Sequence, residues 1–163
     1  MIDPITTVYN ALWGILEADA EFTALVKAGN RIKFSGDNQN PLKDQAITSD
    51  YPEVRIVSQG SVPHVLRTSN SSSLIKTFAI QILSGDQRLD AIQFPLEWII
   101  YRALASSIGT LLALTWNSKS FVKNAKPTSV NDSFGNREPQ STIRAWIAVW
   151  ACEVEMWFQT SDL

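Results

Sequence analysis

His64 is the only histidine and Cys152 the only cysteine of the chain, so few side chains could attack a substrate or hold a metal. Imidazole works as a base near neutral pH when a nucleophile or an orienting group stands at a related position, and none flanks Pro63-His64-Val65. Cys152 lies in an aromatic run and reads as a small packed residue without an internal disulfide partner. Asp37, Asp44 and Asp50 are loosely clustered carboxylates that lack the ligand spacing and glycine of a calcium loop. One histidine with one cysteine cannot build a usual zinc set. Glu153 and Glu155 are two apart, which puts both on one face of a strand. A hydrolase pair must straddle its substrate, a separation that neighbours on one strand do not establish. They read better as a solvated or partner-facing patch, with a hydrolase as the competing class. Lys119, Lys123 and Lys126, with Phe121 among them and Arg137 further on, read as solvated or protein-contacting, since nucleic-acid binding needs a common stacking and phosphate face. The expectation is therefore no catalytic residue, no cofactor and no metal.

The elements that must position these residues are legible as periodicities. Asp3-Pro4 is a helix start, an acidic cap followed by proline where its missing N–H costs nothing. Ile5, Val8, Leu12 and Ile15 or Leu16 then give one apolar face. Asp19 caps a second short helix carrying Phe22, Leu25 and Val26, stopped near Gly29, with a short strand at 32–34. Residues 35–50 are polar and long for a connection. Tyr51-Pro52 enters a strand with Val54 and Ile56 on one face and Arg55 and Val57 on the other. Residues 58–73, with Gly60, Pro63 and a serine-rich run, read as a second flexible loop. Phe78, Ile80 and Ile82 alternate as a strand that Gly85-Asp86 ends. A broad stripe of Leu89, Ile92, Leu96, Ile99, Ile100, Ala103 and Leu104 predicts a buried helix, kinked or started late by Pro95 and continuing towards Trp116. A less regular strand covers 121–128, and residues 131–136 read as a turn.

The last strand, predicted over 142–158, is unusually long, and both of its faces are apolar until Glu153 and Glu155. Trp146, Ala148, Trp150, Cys152, Val154, Met156 and Phe158 share one side, while Ile143, Ala145, Ile147, Val149 and Ala151 take the other. A sheet with helices on one side hides only one of these, so part of the strand is expected at a subunit interface. The order of helix pair, strands, helix, strands predicts a single α+β domain over 1–163, with a small mixed or mainly antiparallel sheet packed against helices. No Gly-rich dinucleotide fingerprint is present. Six Trp and seven Phe beside 18% charged residues leave thin polar cover for a monomer. A formal charge of −2 gives little general attraction to DNA. The opening residues lack a secretion signal and no uninterrupted apolar span occurs, so synthesis in the cytosol without membrane insertion is expected.

This order resembles the tail-terminator or tail-completion proteins of long-tailed bacteriophages. The resemblance runs through Val8-Tyr9-Asn10-Ala11-Leu12, Asp19-Ala20-Glu21-Phe22-Thr23-Ala24-Leu25-Val26, Gly29-Asn30-Arg31-Ile32-Lys33-Phe34, the polar loop into Tyr51-Pro52-Glu53-Val54-Arg55-Ile56, and the later strand, helix and closing strand. It implies a structural virion protein that forms a ring, commonly a hexamer, on the head-proximal end of the tail tube. Such a ring ends tube growth and joins the tail to the head connector or neck, and DNA passes through it without sequence-specific binding. The implied partners are other copies of the chain, the tail-tube protein and the connector, and the implied location is the head-tail junction of the virion. A neck or head-completion adaptor, a tail-tube subunit and a bacterial scaffold are the alternatives. Candidate ring or partner contacts are Tyr51, Arg55, Arg144, Trp146, Trp150, Glu153, Glu155 and Trp157, chosen by region.

Overall fold

The computed structural model describes residues 3–33, 52–68, 71–84, 91–136, 144–159 and 161, with the backbone alone for 64–68, 129–136 and 144–146. Helix α1 (Pro4–Ala18) begins as its sequence requires: the Asp3 carboxylate accepts from the Thr6 N–H at 2.9 Å, and Pro4 fills the first position. It buries Val8, Leu12, Trp13, Ile15 and Leu16. Asp19 ends α1 and caps α2 (Ala20–Leu25), accepting from the Glu21 and Phe22 N–H groups at 2.9 and 3.0 Å. Helix α2 stops before Gly29, which lies in a single 3-10 turn leading to the short strand β1 (Arg31–Ile32).

Two long hairpins follow. Strands β2 (Glu53–Thr68) and β3 (Ser71–Ser84) pair antiparallel; after α3 (Gln93–Ser106) and α4 (Ile108–Leu112), β6 (Val122–Asn136) pairs antiparallel with β7 (Arg144–Gln159). Between them β4 (Thr115–Trp116) and β5 (Lys119–Ser120) make a small separate hairpin. Its turn residues Asn117 and Ser118 have φ of 49° and 62°, the left-handed pair that suits a two-residue hairpin. The main sheet has the order β1-β2-β3-β7-β6, parallel only between β1 and β2, so the fold is α+β with a mixed sheet.

The ladders correct two expectations. Residues 58–73 are not a loop over most of their length: β2 runs to Thr68, β3 starts at Ser71, and Ser73 is held between His64 of β2 and Trp157 of β7. Ladder hydrogen bonds on both sides of β3 hold this polar stretch extended where apolar burial alone would not. Register shifts between Ser58 and Gly60 and between His64 and Thr68 absorb the irregular residues, with Gly60 at φ 129°. Residues 131–136, read as a turn, are strand as well, paired as far as Asn136 with Arg144. The predicted helix starts late: Pro95 is the third residue of α3, where no intrahelical donor is lost. Residues 35–50, Tyr51, Gly85-Asp86 and Leu89 lie outside the described residues.

One core joins the helices to a single face of the sheet. Val54 and Ile56 of β2, Phe78, Ile80 and Ile82 of β3, Val122 and Ala125 of β6, and Ala148, Cys152, Val154 and Met156 of β7 are buried in it with Leu96, Ile99, Ile100 and Leu104 of α3. Alternation along β7 sends Ile147, Val149 and Ala151 to the opposite face, where each is partly buried. No described helix is long and apolar enough to cross a membrane.

Candidate assembly surface

The eight predicted contact residues fall into separate environments. Glu153, Glu155 and Trp157 share the sheet face away from the core, opposite Thr77, Ile75 and Ser73 of β3. The Trp157 indole donates to Glu155 Oε1 at 2.6 Å, and Lys126 Nζ of β6 stands 3.9 Å from Glu153 Oε2. Each carboxylate therefore has a neighbour that answers its charge or its lone pairs. Arg55 is on the same face at the other end of the sheet, but its side chain is buried and donates to Glu53, two residues earlier on β2. That corrects its assignment as a presented contact, because the i, i+2 spacing of a strand delivers a carboxylate to its flank. Trp150 points to the core face and is half-buried under Tyr101 of α3, ring centroids 5.5 Å apart. Arg144 and Trp146 open β7, with side chains outside the described residues, and Tyr51 lies outside them altogether.

No group of three or more His, Cys, Asp or Glu comes together among the described residues. Cys152 is buried, and that burial, with Glu153 adjacent, pushes its thiol up to about 12, so it stays protonated and weakly nucleophilic at neutral pH. His64 sits in β2 opposite Ser73.

Two features escaped the sequence reading. The first is an aromatic stripe on α3. Phe94, Trp98 and Tyr101 follow one another by four and three residues on the side away from the core, exposed by 51, 61 and 38%. Trp98 and Tyr101 are 5.8 Å apart, and Tyr101 passes the stack on to Trp150. The signal was present as an i, i+4, i+7 pattern of aromatics, hidden by the stronger aliphatic stripe on the same helix. The second is an open groove of about 420 Å3 at the end of the sheet, lined by Trp116, Lys119, Ser120, Phe121, Lys123 and Phe158 with Ser71, Trp157 and Gln159. Phe158 stands edge-on to Trp116 and stacks on Phe121. Lys123 occupies the bulge between Val122 and Asn124. Of the three predicted lysines, Lys119 and Lys123 border this groove and Lys126 turns to Glu153.

No family model matches the chain, and no curated protein matches it. Among solved structures, that of the bacteriophage SPP1 gp17 protein aligns over 95% of this chain and 91% of its own, at 20% identity and a TM-score of 0.46.

Proposed function

We propose that this chain is a structural virion protein of a long-tailed bacteriophage. In this reading it assembles as a ring, with six copies implied by the family resemblance, on the head-proximal end of the tail tube. There it ends tube growth and offers the surface that meets the head connector or neck, and DNA passes through without sequence-specific contact. The observation that carries the reading is the two-faced apolar character of β7. Its core face is covered by helices, while on the other face Ile147, Val149 and Ala151 keep part of their surface exposed in one chain, beside Ala79 and Leu83 of β3, which are buried. A sheet face of that kind is completed by a neighbour. The exposed aromatic stripe of α3 adds a second surface of the same character. Glu153 and Glu155, the best carboxylates for a hydrolase, are adjacent on one strand and engaged by Trp157 and Lys126, an arrangement suited to a charged rim.

The test is assembly of tails with and without the protein. Tubes that overgrow and fail to join heads in its absence, with a ring at the tube end when it is restored, are the expected result. Tubes of normal length that still fail to join heads would move the protein to the neck adaptor, and its presence along the whole tube would make it a tube subunit. Normal tails and normal head joining in its absence would end the structural reading.

A further inference from the structure

Strand β2 changes character near Gly60. Residues 52–56 are all buried, while every residue from 58 to 63 is exposed, Val62 by 64%. Successive side chains of a strand point to opposite faces, so continuous exposure means that neither face of this stretch is packed. Strand β1 pairs with β2 only at Val54 and Arg55 and gives this stretch no second neighbour. What holds it is the ladder to β3, from Gly60 opposite Thr77 to Thr68 opposite Ser71. That ladder is itself interrupted. Register shifts fall between Ser58 and Gly60 and between His64 and Thr68, and Pro63 has no N–H to donate. The adjoining part of β3 is held differently: residues 71–77 pair without a shift with β7, from Gln159 to Glu153, and Ser73 and Lys76 are buried.

A segment held by exposed backbone hydrogen bonds, with few apolar contacts, opens locally at a free energy well below that of global unfolding. Gly60, at φ 129°, stands where such opening stops: Val54 and Ile56 before it are buried in the core, and the residues after it are not. We infer that residues 60–68 form a strap that lifts from β3 about Gly60 while the rest of the fold stays intact. Lys76 fastens the root of the strap, its Nζ donating to the Ser58 hydroxyl and lying 5.9 Å from the centre of the Phe78 ring. Closed, the strap turns outwards an edge broken by a bulge and a proline, a poor template for strand pairing. Lifted, it bares the regular edge of β3 over 71–77. It thus guards that end of the sheet against strand addition. The inference rests on the ladders and burial of a single chain, so it stands or falls apart from the ring reading.

Amide hydrogen exchange of the full chain, followed residue by residue by NMR, tests it. Along β3, successive residues turn their N–H groups alternately to β2 and to β7. Lifting the strap therefore frees every second amide of residues 71–77 and leaves those between them paired. The expected result is an alternation, with strap-facing amides exchanging at least about a hundredfold faster than their β7-facing neighbours. No such alternation is expected over 79–83, where the facing residues of β2 are buried or partly so. Val62 and Ile75 are directly opposed, at a Cα separation of about 4.5–5.5 Å that a disulfide can span, so Val62→Cys with Ile75→Cys pins the strap. Oxidation should slow the strap-facing amides at least about tenfold and reduction restore them, while the buried Cys152 stays out of the reaction. Circular dichroism of both forms confirms the fold, and the wild-type pattern decides the inference by itself. Equal, high protection of both sets of amides would overturn the strap. So would fast exchange of both sets, because the whole end of the sheet would then be fraying, β7 included.

Discussion

Replacing Glu153 and Glu155 together by Gln separates an assembly rim from a catalytic pair, and its cost can be worked out in advance. The Trp157 indole still has a side-chain oxygen to donate to, but the bond held at 2.6 Å changes from charge-assisted to neutral. That is a loss of about 1 kcal/mol for a partly buried bond. The Lys126 contact at 3.9 Å joins side chains that are 56 and 40% exposed, so solvent screening holds its loss to a few tenths, about 0.3 kcal/mol. Against this, two like charges about 7 Å apart along the strand no longer repel, which returns about 0.5 kcal/mol in water and less in salt. The net cost is about 1 kcal/mol, small beside the roughly 5–15 kcal/mol that holds a domain folded. Urea unfolding followed by tryptophan fluorescence measures it directly. Head joining is then expected to change with a salt dependence that differs from wild type, with no turnover of any substrate in either protein. A loss above about 3 kcal/mol would refute the environment assigned to these carboxylates. Reproducible hydrolysis by wild type, abolished in the double variant while ring mass and head joining stay normal, would refute the assembly function itself.

Asp19 ends one helix, caps the next and receives Arg102 of α3 at 2.8 Å, so Asp19→Ala is expected to cost about 2 kcal/mol, while Asp19→Asn, which keeps the cap, costs less than about 1. Burial pushes the Asp19 carboxyl up, but the Phe22 and Glu21 N–H groups and Arg102 outweigh it and hold the pKa below 3.8. Its stabilisation is therefore complete above that unfolded value and lost as pH falls through the folded one, which acid titration of unfolding in wild type and Asp19→Asn checks. For Cys152, raised to about 12, folding keeps the thiol neutral; the stabilisation is complete below its unfolded value near 9 and drains away up to about 12. Stability relative to Cys152→Ala should thus fall by about 1.4 kcal/mol per pH unit across that window, and an aromatic disulfide reagent should label the thiol only on unfolding. Gly60→Ala meets open space but inherits a φ of 129°, so a loss of about 1–3 kcal/mol is expected from backbone strain alone, measured by thermal unfolding with assembly tested in parallel.

Sequence periodicity carried the fold wherever one face of an element was dry. The α1 stripe, the Asp3-Pro4 and Asp19 caps, the alternation at Phe78, Ile80 and Ile82, and the long closing strand were all legible because burial selects residue type at a fixed period. It failed where backbone pairing outweighs side chains. Ser71 and Ser73 look like loop residues by composition, yet partners on both sides complete their ladder, and those on β7 lie some eighty positions further along. The strand face of the predicted contact residues was legible in part. Glu153, Glu155 and Trp157 do share the face away from the core, as their spacing of two requires, whereas the burial of Arg55 against Glu53 was not read from the same spacing. The α3 aromatics were missed because a helix read for its buried side says nothing of what its outer side is for.

The order β1-β2-β3-β7-β6 places β7, the last strand made, inside the sheet between β3 and β6. Until Arg144–Gln159 has been synthesised, β3 has only one of its two partners and β6 has none in the main sheet. The pairing that joins the two halves links positions 62 residues apart at its closest, Ser84 with Trp146, so the chain carries a high contact order and folds slowly for its size. During that delay the nascent chain exposes the inner edge of β3, with Phe78, Ile80 and Ile82 still uncovered by the helix that follows them, at polysomes crowded with identical chains. A chain proposed to meet copies of itself thus has its riskiest encounter with them before it is finished, and slower synthesis at low temperature should raise its soluble yield more than added chain stability would.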